Sequence, residues 1–166
     1  MTTIRQISDA DLPAVAAIYA HYVTDSVVTF DETPPSPEDW RAKADAIAAA
    51  GLPFIVAESG GQVLGYAYAA QYRPKPAYRH TLEDSIYLAP EATGRGLGRL
   101  LLGELIAAVS RTEARQIVAV IADGGEETSR KLHAAFGFAE AGRLRNVGFK
   151  HGRWIDTVLL QLDLRR

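Results

Sequence analysis

The sequence predicts an α+β domain in which a mixed, mostly antiparallel central sheet is flanked by helices. Short β-type runs alternate with segments whose apolar residues repeat at helical spacing. Two of the β-type runs are joined by Gly60-Gly61, which favours a tight hairpin turn. A later run leads through three glycines into an amphipathic segment. A chain of 166 residues fits one domain, and we predict that it spans residues 1–166.

The N-terminal half contains a predicted strand, two helices and the hairpin. Residues 2–7 are β-type, and Ser8 to Asp11 offer side-chain caps for a first helix with apolar residues at 12, 15, 18, 19 and 22. A second helix is predicted to begin at Pro37 with Ser36 as its cap, because proline is favoured in the first helical turn. The predicted hairpin strands are Phe54–Glu58 and Val63–Ala69.

The C-terminal half repeats a strand-loop-helix order twice and ends in two strands. The strand Leu82–Leu88 ends at Ala89-Pro90, and a glycine turn then leads into a helix containing Leu100, Leu101 and Leu105. A wholly apolar strand of the buried type follows at residues 117–122. The remaining elements are a helix at 129–135 and strands at 139–145 and 154–164.

Composition excludes several classes of protein. Hydrophobic residues make up 48% and charged residues 23%, as in folded globular domains, and the net charge of −2 disfavours nucleic acid or an anionic membrane as a partner. The absence of cysteine excludes disulfides, thiolate metal sites and a cysteine nucleophile. Residues 1–11 lack the apolar stretch of a secretory signal, and no run reaches about 18 apolar residues. These observations predict a cytoplasmic protein.

The glycine turn from Thr93 to Arg99 is a candidate anion site. Its backbone N–H groups can converge on a phosphate at the positive end of the following helix, and Arg95 and Arg99 add positive charge. The spacing does not match the third glycine of the Rossmann pattern, and the Gly-Lys-Ser/Thr of the Walker pattern is absent. A nucleotide or simple phosphate site is therefore the weaker alternative.

The same turn resembles the Gln/Arg-x-x-Gly-x-Gly/Ala pattern of the GNAT acyltransferases, with Thr93 at the first position. Further patches, in the same order along nearly the whole chain, resemble the phosphinothricin and methionine sulfone or sulfoximine N-acetyltransferases within that family. The resemblance implies the GNAT acyl-CoA N-acyltransferase fold, acetyl-CoA as co-substrate, a small amino acid analogue as acceptor, and a homodimer. The patches are Phe30–Pro34, Gly65–Ala67, Arg73-Pro74, Thr81–Leu88, Leu132-His133 and Gly148–Trp154.

The resemblance also implies where acetyl-CoA binds. The glycine turn cradles the pyrophosphate, and a splayed strand pairs with the pantetheine amides and supplies an N–H for the oxyanion. Glu126 stands where this subfamily often has an asparagine that contacts the cofactor. The predicted cofactor-binding residues are Ile86, Tyr87, Leu88, Gly94, Arg95, Gly96, Leu97, Gly98, Arg99 and Glu126.

Acetyl transfer to an amine requires a base for the ammonium group and a proton for the departing thiolate. Glu83 lies near the end of the predicted central strand; spacing alone favours a salt bridge to Arg73 or Arg79, whereas the resemblance implies a general base. The resemblance gives His133 the role of the acid, and the role of base remains its alternative because imidazole can do either near pH 7. Asp84 is expected to face away from Glu83 in a regular strand.

The acceptor's carboxylate and its phosphinate or sulfone oxygens need hydrogen-bond donors. Arg73, Lys75 and Tyr78 supply donors in one short polar stretch, and the resemblance places all three at substrate-contact positions. Phe30 is predicted to wall the pocket, and Ser85 is included through the resemblance. We predict no metal, because neighbouring acidic and histidine side chains at 80, 83 and 84 alternate between strand faces.

Two other functions stay open at this point. A GNAT enzyme could acetylate a different small amine or a protein N-terminus, although the cationic stretch before Glu83 argues against polycationic acceptors. A non-catalytic acyl-CoA-binding module would keep the glycine turn and release no CoA when an acceptor is added.

Overall fold

The computed structural model describes residues 1–165, which form seven strands and four helices connected by loops and short 3-10 turns. Each predicted helix and strand is present. In chain order the elements are β1 (Thr2–Gln6), α1 (Leu12–Asp25), α2 (Pro37–Ala49), β2 (Phe54–Ser59), β3 (Gln62–Gln71), β4 (Thr81–Leu88), α3 (Leu97–Ser110), β5 (Gln116–Asp123), α4 (Thr128–Ala135), β6 (Ala139–Lys150) and β7 (Arg153–Asp163).

Local chemistry explains two of these boundaries. The Ser36 side chain accepts from the Asp39 amide at 3.1 Å and the Asp39 carboxylate accepts from the Ser36 amide at 2.9 Å, so a reciprocal cap starts α2 just before Pro37. Gly60 and Gly61 have φ angles of 59° and 80°, which permit the tight turn between β2 and β3. Both features are as predicted.

The strands form one sheet in the order β1-β2-β3-β4-β5-β7-β6. Every neighbouring pair is antiparallel except β4 and β5, which are parallel. This parallel pairing extends only over residues 81–83 of β4 and 116–118 of β5. Beyond it, β4 continues beside β3 and β5 continues beside β7, so the two strands separate in the middle of the sheet.

The sheet is covered on both faces. Helices α1 and α2 pack on one face through a cluster that includes Val15, Trp40 and Tyr66, and α3 packs on the other through Leu101 and Leu105. Burial on both faces holds the separated strands in place, since the apolar side chains of each face are removed from water.

The structure differs from one expectation near the C-terminus. Strand β6 continues to Lys150 instead of ending at Arg145, because an irregularity between Leu144 and Gly148, with Asn146 at a φ of 52°, interrupts the alternation and then lets pairing resume. Trp154, the second residue of β7, is 65% exposed. Of the helices within residues 1–165, none has the length and apolar character needed to cross a bilayer.

Candidate active site

A cavity of about 410 Å³ lies where β4 and β5 separate. Residues 83–88 of β4 line one wall and residues 119–122 of β5 line the other. The loop after α1 and the first turns of α4 close its ends. A ligand in this cavity can therefore reach backbone groups of β4 that have no strand partner on the β5 side.

Glu83 lies at the last residue pair before the strands separate, opposite Val118, and lines the cavity. Burial raises the pKa of its carboxyl above the ordinary value, while the positive charges of Arg73 and Lys43 only partly oppose this shift. A carboxylate with a raised pKa accepts a proton more readily near neutral pH. Position and electrostatics together suit Glu83 to act as a base.

Asp84 and His133 form a buried pair on the opposite face of β4, as the alternation of side chains predicts for Asp84. The Nε2 atom of His133 lies 2.7 Å from Asp84 Oδ2, and its Nδ1 atom donates to the Ser129 carbonyl at 2.7 Å. Both nitrogens therefore face acceptors, which favours the imidazolium form. Burial lowers the pKa of His133, but the Asp84 carboxylate and the Ser129 carbonyl outweigh it, so the pKa is raised.

The two hydrogen bonds of the His133 ring limit how this residue can donate a proton. The residue lines the same cavity as Glu83, but it is only 2% exposed and neither ring nitrogen is free. Direct donation to a leaving group requires one of the two hydrogen bonds to break. The acid role of His133 stays a prediction. Because Asp84 is hydrogen-bonded to its Nε2 atom, a proton transfer from this nitrogen also involves Asp84.

The glycine turn has the conformation that an anion cradle needs. Gly94 and Gly96 have φ angles of 78° and 79°, and helix α3 begins directly afterwards at Leu97. Gly98 lines the cavity, where a Cβ would lie 3.2 Å from Leu132 Cδ2. The amides of this turn thus stand at the positive end of α3 and beside the cavity.

Most of the predicted side chains meet at this cavity. Arg95 and Arg99 are exposed in or next to the glycine turn, whereas the Leu97 side chain is buried in the core, so only the backbone of Leu97 is available to a ligand. The predicted residues that line the cavity are Phe30, Glu83, Ser85, Ile86, Tyr87, Leu88, Gly98, Glu126 and His133.

The cationic stretch before β4 lies outside the lining of the cavity. Lys75 and Tyr78 are exposed in the loop between β3 and β4, in and next to the short 3-10 turn at Pro76–Tyr78, and do not line the cavity, so their contact with the acceptor stays a prediction. Arg73 is also exposed, with its guanidinium 4.4 Å from the centre of the Tyr72 ring, but its charge acts on Glu83. Of the three predicted substrate-contact residues, Arg73 is the one whose charge acts on a residue of the cavity.

Sequence reasoning missed several residues of the cavity. Tyr19 and Tyr22 of α1 and Tyr68 of β3 line it, although helical or strand spacing assigns such residues to the core. The Lys43 ammonium lies 5.1 Å from the centre of the Tyr68 ring and acts on Glu83. No local pattern in the sequence distinguishes Lys43 from other exposed helix lysines.

The described residues, 1–165, contain no group of three or more histidine or acidic side chains placed to hold a metal ion. A glycine turn at a helix N-terminus, an open strand edge and a half-buried carboxylate suit an acyltransferase that binds a phosphate-bearing acyl carrier. The family model described as "Acetyltransferase (GNAT) domain" matches residues 4–159. The chain belongs to the GNAT acetyltransferase family, which confirms the predicted family, fold and enzyme class.

Individual relatives show which members of the family the chain resembles. The chain is 53% identical to a phosphinothricin N-acetyltransferase of Alcaligenes faecalis over 98% of this chain and 82% of that protein. It is 37% identical to an L-methionine sulfoximine/L-methionine sulfone acetyltransferase of Pseudomonas paraeruginosa over 98% and 94% of the two chains. The crystal structure of a phosphinothricin acetyltransferase from Sinorhizobium meliloti in complex with acetyl-CoA superimposes with a TM-score of 0.94, at 43% identity, over 98% of this chain and 88% of that one.

Proposed function

We propose that the protein transfers the acetyl group of acetyl-CoA to the α-amine of a small amino acid analogue such as phosphinothricin, methionine sulfone or methionine sulfoximine. The observation that carries this proposal is Glu83, a half-buried carboxylate with a raised pKa at the point where β4 and β5 separate. The names of the relatives at 53% and 37% identity support the choice of acceptor.

The family assignment makes acetyl-CoA the acetyl donor, and the residues present fit it. The amides of residues 94–98 can bind the pyrophosphate at the N-terminus of α3, with Arg95 and Arg99 nearby. The open edge of β4 from Ile86 to Leu88 offers backbone groups to the pantetheine amides and an N–H to the oxyanion. Glu126 lines the same cavity, but a carboxylate cannot donate the hydrogen bond of the asparagine it replaces.

The reaction removes two protons from the substrate nitrogen and delivers one proton to the sulfur of the leaving group. Glu83 accepts one proton from the substrate ammonium, directly or through water, and the neutral nitrogen then forms the C–N bond with the acetyl carbon. The C–S bond breaks as the oxyanion collapses. As the C–N bond forms, the nitrogen loses its second proton to solvent, and the departing thiolate takes up one proton, for which we propose His133 of the Asp84–His133 pair as the source.

The acceptor pocket lies on the Glu83 face of β4. Phe30, which is 38% exposed, forms one wall, and Ser85 follows Glu83 on the same face of the strand. Arg73 and Lys43 supply positive charge for the acceptor's acidic groups, since both charges already act on Glu83. An anionic amino acid suits this pocket better than a polyamine.

A thiol-release assay tests the acceptor. With acetyl-CoA present, we expect CoA release to depend on phosphinothricin, methionine sulfone or methionine sulfoximine, and to be much slower with spermidine, which lacks an acidic group for Arg73. The CoA signal without acceptor is the control for hydrolysis. If the protein binds acetyl-CoA but releases CoA with none of the three compounds, the proposed acceptor is wrong and a non-catalytic binding module is favoured.

We also propose a homodimer that works in the cytoplasm, where acetyl-CoA is available. An exposed apolar patch on β6 and β7 supports the dimer; Phe149 and Trp154 pack together in it with ring centres 4.8 Å apart. Such patches on otherwise polar surfaces commonly mark protein interfaces. The patch consists of Leu144, Val147, Phe149 and Trp154.

Analytical ultracentrifugation tests the dimer. We expect a mass of twice the 18.0 kDa chain, and we expect Trp154→Ser to shift the equilibrium towards monomer because it removes the most exposed aromatic side chain of the patch. Leu100→Ser, at an exposed apolar residue of α3 outside the patch, is the matched control. A monomer at all concentrations would contradict the proposal.

A further inference from the structure

The segment Gly148–Trp154, which carries part of the family resemblance, has no part in the chemistry described so far. Its first residues end strand β6, beside the loop of residues 26–36 that connects α1 to α2. This loop carries Phe30, the wall of the acceptor pocket. The contacts between the end of β6 and the loop therefore decide where that wall stands.

Gly148 provides the space for the Phe30 ring. A Cβ at residue 148 would lie 2.4 Å from Phe30 Cζ and 2.5 Å from Cε2, far closer than van der Waals contact allows. The φ angle of Gly148 is not in the left-handed region, so the backbone there does not require glycine. The missing side chain matters because the Phe30 ring lies directly against the strand.

Lys150 holds the residue next to Phe30. It lies two residues after Gly148, on the same face of β6, and is only 4% exposed. Its ammonium donates to the Thr29 carbonyl at 2.8 Å. The Tyr19 hydroxyl makes a further hydrogen bond to Thr29 Oγ1 at 2.6 Å and donates to Asp31, so the loop is held from α1 as well.

Burying a lysine costs free energy unless its ammonium is hydrogen-bonded. Burial lowers the pKa of Lys150, although the charges of Asp31 and Glu32 in the same loop oppose the shift. A buried cation that donates to a loop carbonyl and is attracted by two loop carboxylates ties the loop to the strand. It does so without touching the cavity itself.

We propose that Gly148 and Lys150 are positioning residues that set the place of Phe30 and so determine which acceptors fit the pocket. This inference rests on the proposed function, which makes the cavity beside Phe30 the acceptor pocket. Neither residue contacts the reacting atoms. Their substitution is expected to change the binding of the acceptor while the binding of acetyl-CoA stays the same, because the glycine turn and β4 are not involved.

Steady-state kinetics of Gly148→Ala test the proposal. The new Cβ displaces the Phe30 ring, and we expect the KM for the acceptor to rise by about 10-fold or more, with the KM for acetyl-CoA unchanged. In a Phe30→Ala background the same substitution is expected to have almost no further effect, since the displaced ring is gone. Lys150→Met keeps the length of the side chain, removes the donor and is expected to raise the acceptor KM in the same way.

Gly142→Ala is the matched control. It lies in the same strand, and its Cβ would meet nothing closer than Leu159 Cδ1 at 4.0 Å, so both KM values are expected to remain those of the unmodified protein. Equal rises in both KM values, or additive effects of Gly148→Ala and Phe30→Ala, would overturn the proposal.

Crystal structures separate this inference from the proposed function. We expect the Phe30 ring of Gly148→Ala to be displaced by more than about 1 Å, because the added Cβ would otherwise fall well inside contact distance of the ring. If the unmodified protein acetylates none of the acceptors, the proposed function fails while this displacement can still be observed. An unmoved ring overturns the positioning role whatever the activity.

Discussion

Replacing Glu83 by glutamine is expected to lower kcat by roughly 10²- to 10⁴-fold at neutral pH, the range that a positioned general base contributes. Glutamine keeps the shape of the side chain and cannot accept the proton of the substrate ammonium. The affinity for acetyl-CoA, measured by calorimetry, is expected to stay nearly the same because Glu83 lies on the acceptor side of β4. Unchanged turnover would assign the base to another group.

The pH dependence gives a second measurement on the same residue. Burial raises the pKa of Glu83 above 4.5, and only the ionised form is a base, so activity is expected to fall as the pH decreases through this raised pKa. The raised pKa also means that ionised Glu83 costs folding stability at neutral pH. Glu83→Gln is therefore expected to unfold at the same or a higher temperature than the unmodified protein, which separates lost chemistry from lost structure.

Replacing Asp84 by asparagine is expected to lower the free energy of unfolding by about 3–5 kcal/mol, the usual result of removing one partner from a buried ion pair. Without the carboxylate 2.7 Å away, burial disfavours the charge of His133, so the folded state loses its ion pair. Urea unfolding at pH 6 measures this loss. Asp84→Asn combined with His133→Gln is expected to cost less than the sum of the two single substitutions, since each single substitution leaves the other member of the pair buried without its partner.

The exposed pair of His21 and Asp25 is the control for this prediction. Its atoms are 3.3 Å apart and its side chains are 39% and 64% exposed, so Asp25→Asn is expected to cost about 0–1 kcal/mol. The pKa of His133 is raised in the folded state, so the stability it contributes is fully present below pH 6.5 and is lost as the pH rises through the raised pKa. A loss for Asp84→Asn as small as that of the control would contradict a buried charged pair.

Local chemistry made the elements of the fold predictable, whereas their arrangement depends on distant contacts. Ser36-Pro37 and Gly60-Gly61 each specify a boundary through their own caps and dihedral angles. The insertion of β7 between β5 and β6 is a pairing of strands that no short segment encodes. The extension of β6 to Lys150 was missed because the irregularity before Gly148 hides the strand period.

The candidate site also has some residues that the sequence predicts and others whose arrangement depends on distant contacts. The glycine turn and Glu83 could be recognised in the sequence because they lie within continuous segments that resemble a family. The pairing of Asp84 with His133 joins residues 49 positions apart and depends on how α4 packs against β5 and α3. The position of Lys75 outside the cavity could not be predicted, because nearness to Glu83 along the chain does not determine which way a loop turns.

The short parallel pairing of β4 with β5 affects the rigidity of the whole protein. Within residues 1–165, the strand pairing between the four-strand half of the sheet and the three-strand half consists of three residue pairs. A pantetheine chain lying between them would serve as an additional strand, bonded to one half and packed against the other. Donor binding should therefore stiffen the protein and raise its melting temperature by an amount that grows with donor concentration and affinity, as linkage requires.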